Sequence, residues 1–143
     1  MTLSETLLDP ARRPATVDAL VAVVESEVKS KGGLSGTALR TAVSAAQAID
    51  KTIVRRAVAR MLPEFLAQLD PFWESKGEAS FGPRLVADGD RAAEALLEVT
   101  DRRAANPKHA AIAKVYGMIR SKAKGHVVAA LPAVGTALES VAR

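Results

Sequence analysis

The sequence predicts an all-α fold, a compact bundle of about seven to nine helices in one domain, residues 1–143. Three observations carry that expectation. Alanine, the best helix former, supplies 28 of the 143 residues. Aromatic residues are scarce, with three Phe, one Trp and one Tyr, where a β-sheet core would use more aromatic and β-branched side chains. Apolar residues recur at helical spacing in one segment after another, and no stretch alternates apolar and polar as a half-buried strand does. A chain that is 48% hydrophobic and 25% charged at this length can bury a real core.

The elements follow in order. Thr2 and Glu5 form a possible capping box for a short first helix that ends by Asp9-Pro10. A second helix starts near Pro14 and buries Val17, Leu20, Val21, Val24 and Val28; Gly32 and Gly33 end it. Ser35 is placed to cap a third helix carrying Leu39, Val43, Ala46 and Ile49 inward. Thr52 is placed to cap a fourth, with Ile53, Val54, Ala57, Met61 and Leu62 inward. Pro63 is expected to break that helix and start a fifth containing Phe65, Leu66 and Leu69. Residues 70–90, rich in Pro and Gly, are expected to be the least regular segment. Asp90 then caps a helix with Ala93, Leu96, Leu97 and Thr100 inward. Asn106-Pro107 starts another, with Ile112, Val115, Tyr116, Ile119 and Ala123 on one face, which Gly125 ends. The remainder, from His126, repeats Val127, Leu131, Val134, Leu138 and Val141 at alternating spacings of four and three.

A weak internal duplication is expected at an offset of 69. Val58, Leu62, Pro63 and Leu69 correspond to Val127, Leu131, Pro132 and Leu138, and Val43 to Ile112. Both copies would then run helix, basic turn, helix, Leu-Pro, helix.

The residues that carry chemistry are sparse. With no cysteine, neither a disulfide, a thiolate nucleophile nor a cysteine-ligated zinc is available. His109 and His126, the two histidines, stand far apart without an acidic companion, unlike the His pair four apart that holds a metal. Glu94 and Glu98 share a helical face but lack a following histidine, so a solvated face is the expectation. Lys31-Gly32-Gly33-Leu34-Ser35-Gly36-Thr37 resembles a phosphate cradle superficially, yet the P-loop places its Lys after the last Gly and follows a strand; an interhelical turn is favoured. No catalytic residue, metal or cofactor is assigned, and a non-enzymatic protein is expected. The N-terminus lacks the pattern of a signal peptide. The most apolar run, Val127 to Leu138, is too short to span a bilayer and is interrupted by Pro132 and Gly135. A cytoplasmic location without a membrane span is therefore expected.

The net charge of +4 is uneven: residues 104–143 alone carry six basic side chains against the single acidic Glu139. Two basic faces follow from helical spacing. Arg55, Arg56 and Arg60 lie opposite the apolar side of the fourth helix, and Lys114, Arg120 and Lys124 lie opposite Ile112, Val115 and Ile119. Around the second set stand Ala110, Ala113, Gly117 and Ser121, small enough to admit a flat anionic surface. These six are candidate anion-binding residues, able to give salt-sensitive, sequence-independent binding to phosphates; an ordinary exposed helix face is the competing expectation. Four aromatics cluster at Phe65, Phe72, Trp73 and Phe81. A core plug is favoured for them, with Phe72, Trp73 and Phe81 as a candidate partner-binding patch.

Several stretches together resemble a family of small actinobacterial proteins of unknown function. They are Leu3-Ser4-Glu5-Thr6-Leu7-Leu8-Asp9-Pro10-Ala11-Arg12-Arg13-Pro14, Lys31-Gly32-Gly33-Leu34-Ser35-Gly36, Met61-Leu62-Pro63 with Pro71-Phe72-Trp73, and His126-Val127-Val128-Ala129-Ala130-Leu131-Pro132. The resemblance spans nearly the whole chain and implies a bacterial, cytoplasmic, stand-alone protein. It carries over no catalytic residue.

The functional expectation is a non-enzymatic helical protein that presents its faces to a macromolecule, a protein partner being favoured over nucleic acid and a homo-oligomer remaining open. The alternative is a nucleic-acid or polyanion binder using the basic faces.

Overall fold

The computed structural model describes residues 2–30, 32–105 and 110–143. Among them are seven helices and no strand: α1 (Leu3–Leu7), α2 (Arg13–Ser30), α3 (Gly33–Ile49), α4 (Ile53–Ser75), α5 (Phe81–Ala87), α6 (Gly89–Ala104) and α7 (Ala110–Ala142). Helices α2, α4, α6 and α7 form a ring in that order, each packed on the next, with α4 opposite α7 and α2 opposite α6. Helix α3 lies along the outside of α7 and α2, while the short α1 and α5 close the bundle against both long helices.

The core is built where these stripes meet. Helix α4 buries Val58, Leu62, Leu66, Leu69 and Phe72, a run spaced by fours and threes. Around it pack Leu3, Leu7, Val17, Val21, Phe81, Leu85, Ala92, Leu131 and Leu138. Helix α1 is short for an independent helix and is held from outside. Thr2 Oγ1 accepts the Glu5 amide at 3.0 Å, while Asp70 of α4 accepts the Ser4 amide at 2.9 Å and the Ser4 hydroxyl at 2.6 Å. The fully buried Thr16 is satisfied by donating to the Arg12 carbonyl.

Two expected breaks are absent. Helix α4 runs through Pro63 and Pro71, and α7 runs 33 residues through Gly125 and Pro132. An interior proline costs a helix about 3 kcal/mol. Five large apolar side chains buried on α4 each return about 1.5–3 kcal/mol, so continuous packing wins. The prolines sit away from the fully buried stripe, and the Arg60 carbonyl beside Pro63 receives an added donor from Arg103 Nη2 at 3.4 Å. Gly125 keeps a negative φ and remains helical.

Other corrections are local. Residues 70–90 are mostly helical; α4 continues to Ser75 and stops where Gly77 takes the left-handed conformation, φ 59°. Helix α3 begins at Gly33, so Ser35 lies inside its first turn. At α4 it is Asp50, not Thr52, that caps: its Oδ1 accepts the Thr52 amide and hydroxyl. Asp90 lies inside the first turn of α6, and Asp88 precedes the helix with its carboxylate turned to Arg84 and Arg91. Ile49, expected on the apolar side, is 55% exposed, while Ala42 of α3 is buried. Leu62 and Leu131, like Leu69 and Leu138, are equivalently buried. The duplication stops there, because the first copy turns at Asp50-Lys51-Thr52 where the second is unbroken helix. Asn106-Pro107 and His109 lie outside the described residues.

Candidate functional site

The richest concentration of polar chemistry is the seam between α6 and α7, which run antiparallel. Asp101 on α6 receives Arg120 in a two-pronged pair, Nε at 2.7 Å and Nη2 at 2.9 Å, and also accepts the Tyr116 hydroxyl at 2.6 Å. Thr100 Oγ1 lies 2.7 Å from the same hydroxyl and bonds the Leu97 carbonyl. One turn further along α7, Lys124 Nζ meets Glu94 at 3.0 Å and Asp90 at 3.6 Å. Beyond the seam, a shallow open groove of about 960 Å³ follows α6, lined by Gln68, Phe72, Arg91, Glu98, Arg102 and Lys124 among others.

The electrostatics of this seam favour fixed charges. The Arg120 guanidinium, followed by the Tyr116 hydroxyl, holds the Asp101 carboxyl below its ordinary range. Burial, with the Asp101 bond second, pushes Tyr116 up to about 12. The Asp101 bond raises Arg120, and the Glu94 bond raises Lys124. A general acid or base serves best with a pKa near the working pH; these shifts move both Asp101 and Tyr116 away from neutrality. The seam is chemically a clasp.

The six expected anion-binding residues divide among these contacts. Arg120 and Lys124 are held by α6. Arg55 pairs with Asp18 of α2 at 2.7 Å, and Arg56 pairs with Asp50. Arg60 and Lys114 are exposed. The two basic groups sit on α4 and α7, opposite members of the ring, and so do not converge on one site. Glu94 and Glu98 lie in ion pairs with Lys124 and Arg102, and no group of acidic or histidine side chains suited to a metal occurs among the described residues.

The candidate partner-binding aromatics are corrected by burial. Phe72 is 6% exposed and Phe81 fully buried, so both rings belong to the core, Phe72 at its edge beside the groove. Trp73 is half-buried, edge-on to Phe81 with ring centroids 5.0 Å apart, and Lys76 Nζ lies 4.5 Å above its ring. Lys76 also reaches Glu139 of α7 at 3.7 Å. Arg84 and Arg91 both lie over the Phe72 ring. The aromatics therefore form the core plug with a cationic cover.

Sequence spacing did not bring out Thr100, Asp101 and Tyr116. One signal was available: Tyr116 and Arg120 stand four apart, hence on one line of a helix, facing the next carboxylates upstream across a helical hairpin.

One feature of α7 bears on membranes. Because the helix is continuous, Ala113–Ala142 is long and apolar enough to cross a membrane by length and composition, with mean hydropathy 1.3. Core helices pass the same test, and α7 contributes Leu131 and Leu138 to the core.

Fold and seam together define a ring of four long helices with one helical flank, clasped by ion pairs. The chain belongs to DUF6918, a family of unknown function, which it matches over residues 3–142. No curated protein and no solved structure matches it.

Proposed function

We propose that this protein is a non-enzymatic interaction module that binds another protein through an apolar shelf where α5 crosses α7. The observation that carries this reading is the placement of Val86, 51% exposed, and Val128, 37% exposed. At the crossing Gly82 rests on the Pro132 carbonyl, and Gly89 rests on Val128 and Leu131; Val86 lies between those two contacts in the chain. Exposed Pro83, Ala87, Ala129 and Pro132 extend the shelf. Exposed apolar side chains flanking a helix crossing favour a protein partner. The polyanion alternative is less supported, because Arg55, Arg56, Arg120 and Lys124 would have to exchange existing carboxylate partners for phosphates.

The test is crosslinking capture from a native lysate at low and raised salt, comparing the wild type with a Val86→Lys, Val128→Lys double variant. Both positions are at the surface, so circular dichroism is expected to be unchanged while salt-resistant partners disappear. Recovery of the same proteins at the same yield by a folded double variant would defeat the reading.

A further inference from the structure

The helices share the surface charge of this chain unevenly. Among the described residues, α2, α4 and α6 together show 22 exposed positions, of which 14 are charged, including all six on α6. Helices α3 and α7 also show 22, and three are charged: Arg40, Lys114 and Lys122. Since α3 packs along α7, these two helices give the protein one charge-poor side. Charged residues are depleted in the same way at the centre of protein–protein interfaces.

Helix α7 also keeps apolar surface that its own fold leaves uncovered. Its stretch long and apolar enough to cross a membrane is only 17% buried. The large apolar side chains it exposes are Met118, 60% exposed, and Val128, 37% exposed. A compact monomer of 15.0 kDa exposes about 7,000 Å², whereas this chain exposes 7801 Å². The surplus is close to the roughly 800 Å² that one partner contributes to a standard interface.

We propose that a second copy of this chain covers that side, the two α7 helices lying antiparallel across a two-fold axis at residue 123. The inference rests on the protein-partner reading above, because Val128 belongs to both surfaces, and it names the partner. A two-fold contact sets residue i opposite j and j opposite i. The register centred on residue 123 sets Met118 opposite Val128. It also sets Ser121 opposite Gly125 and Gly117 opposite Ala129, all four exposed, so nothing bulky stands between the helices. Lys114 falls opposite Pro132. The start of α6 lies beside that turn, because Gly89 rests on Val128 and Leu131. There Asp90, 86% exposed, shares the single ammonium of Lys124 with Glu94, which leaves carboxylate oxygens for a cation of the partner. One register therefore sets large against large, small against small and a lysine beside a carboxylate, with no second kind of protein required.

The experiment is sedimentation equilibrium of the full chain across a wide range of concentration, where a mass of twice 15.0 kDa is expected at the upper end. Met118→Glu places a carboxylate opposite Val128 twice in each dimer and should weaken association at least about tenfold, with an unchanged circular dichroism spectrum. Lys114→Glu should weaken it about fivefold, the worth of two rim ion pairs of ordinary strength. Adding Asp90→Lys to Lys114→Glu should recover the loss, which a folding defect would not do. The chain has no cysteine, so a Lys122→Cys variant carries a single thiol one residue from the axis. A short bis-maleimide should join two copies of it. Ser140→Cys, exposed near the far end of α7, should not be joined. A chain that stays monomeric overturns the proposal, as does undiminished association of folded Met118→Glu or crosslinking at Ser140→Cys in place of Lys122→Cys. If the monomeric outcome comes with lysate partners that the Val86→Lys, Val128→Lys variant still loses, the second copy is refuted while the shelf reading stands for a different protein.

Discussion

The two halves of α7 are joined by one unbroken backbone but held by different forces. The C-terminal half is held by apolar packing: Leu131 and Leu138 are fully buried, and Gly135 brings the helix into backbone contact with α5. The N-terminal half has one buried side chain among those described, Ala123. It is held to α6 by the Asp101–Tyr116–Arg120 and Glu94–Lys124 contacts. Glycine also has a different meaning in each half. A Cβ on Gly135 would stand 2.4 Å from the Gly82 Cα and 2.9 Å from the Phe81 carbonyl carbon, whereas Gly117 and Gly125 have nothing within 4 Å. One glycine is demanded by internal packing and the other two are not.

The largest expected effect tests the apolar half. Gly135→Ala puts a methyl group into the backbone of α5, with no flexible side chain to yield, and should cost about 3 kcal/mol or more. Chemical denaturation with an unchanged midpoint would show that the α5–α7 contact is looser than 2.4 Å implies.

An intermediate effect tests the polar half. Tyr116→Phe removes bonds to Asp101 and Thr100 and should cost about 1 kcal/mol near neutral pH. Its pH dependence is more specific. The Tyr116 pKa is raised from 10.0 to about 12 in the folded protein. Its contribution is thus fully present below the unfolded value and is lost as pH rises through the folded one. Wild-type stability should fall more between those limits than that of Tyr116→Phe, which keeps the alkaline loss from the raised Lys124 but not that from the tyrosine, so the gap between them closes. Asp101 is lowered from 3.8, so its contribution holds above that value and is lost as pH falls. Parallel alkaline profiles for wild type and variant would remove Tyr116 from the clasp.

The smallest effect has the opposite sign. Gly125→Ala relieves the entropic cost of a mid-helix glycine where there is open space, and should stabilise by about 0.5–1 kcal/mol. Destabilisation measured at this position would show that the N-terminal half of α7 needs the glycine for an internal contact.

Helical class, the Leu62, Leu66 and Leu69 part of the α4 stripe and the short α1 were legible in the sequence because each rests on local chemistry, whereas Val58 is buried in place of the expected Ile53, Val54, Ala57 and Met61. Apolar residues spaced by threes and fours, an alanine-rich composition and a Thr placed three residues before a Glu act within a turn or two of the chain. That the helices run on through Pro63 and Gly125, where breaks were expected, and through Pro132 was not legible. A proline or glycine disfavours helix by a local penalty of known size, and whether it ends the helix depends on what the flanking turns bury. Only the packing of Leu62, Leu66 and Leu131 into the core decided that. The same limit applies to charge. Sequence could assign Arg120 and Lys124 to a basic face, but that they spend their charge on Asp101, Asp90 and Glu94 follows from the antiparallel pairing of α6 and α7. The spacing of residues along one helix is a property of the chain. The identity of the neighbour across a seam belongs to the fold, because Coulomb attraction and burial act between residues that the chain keeps far apart.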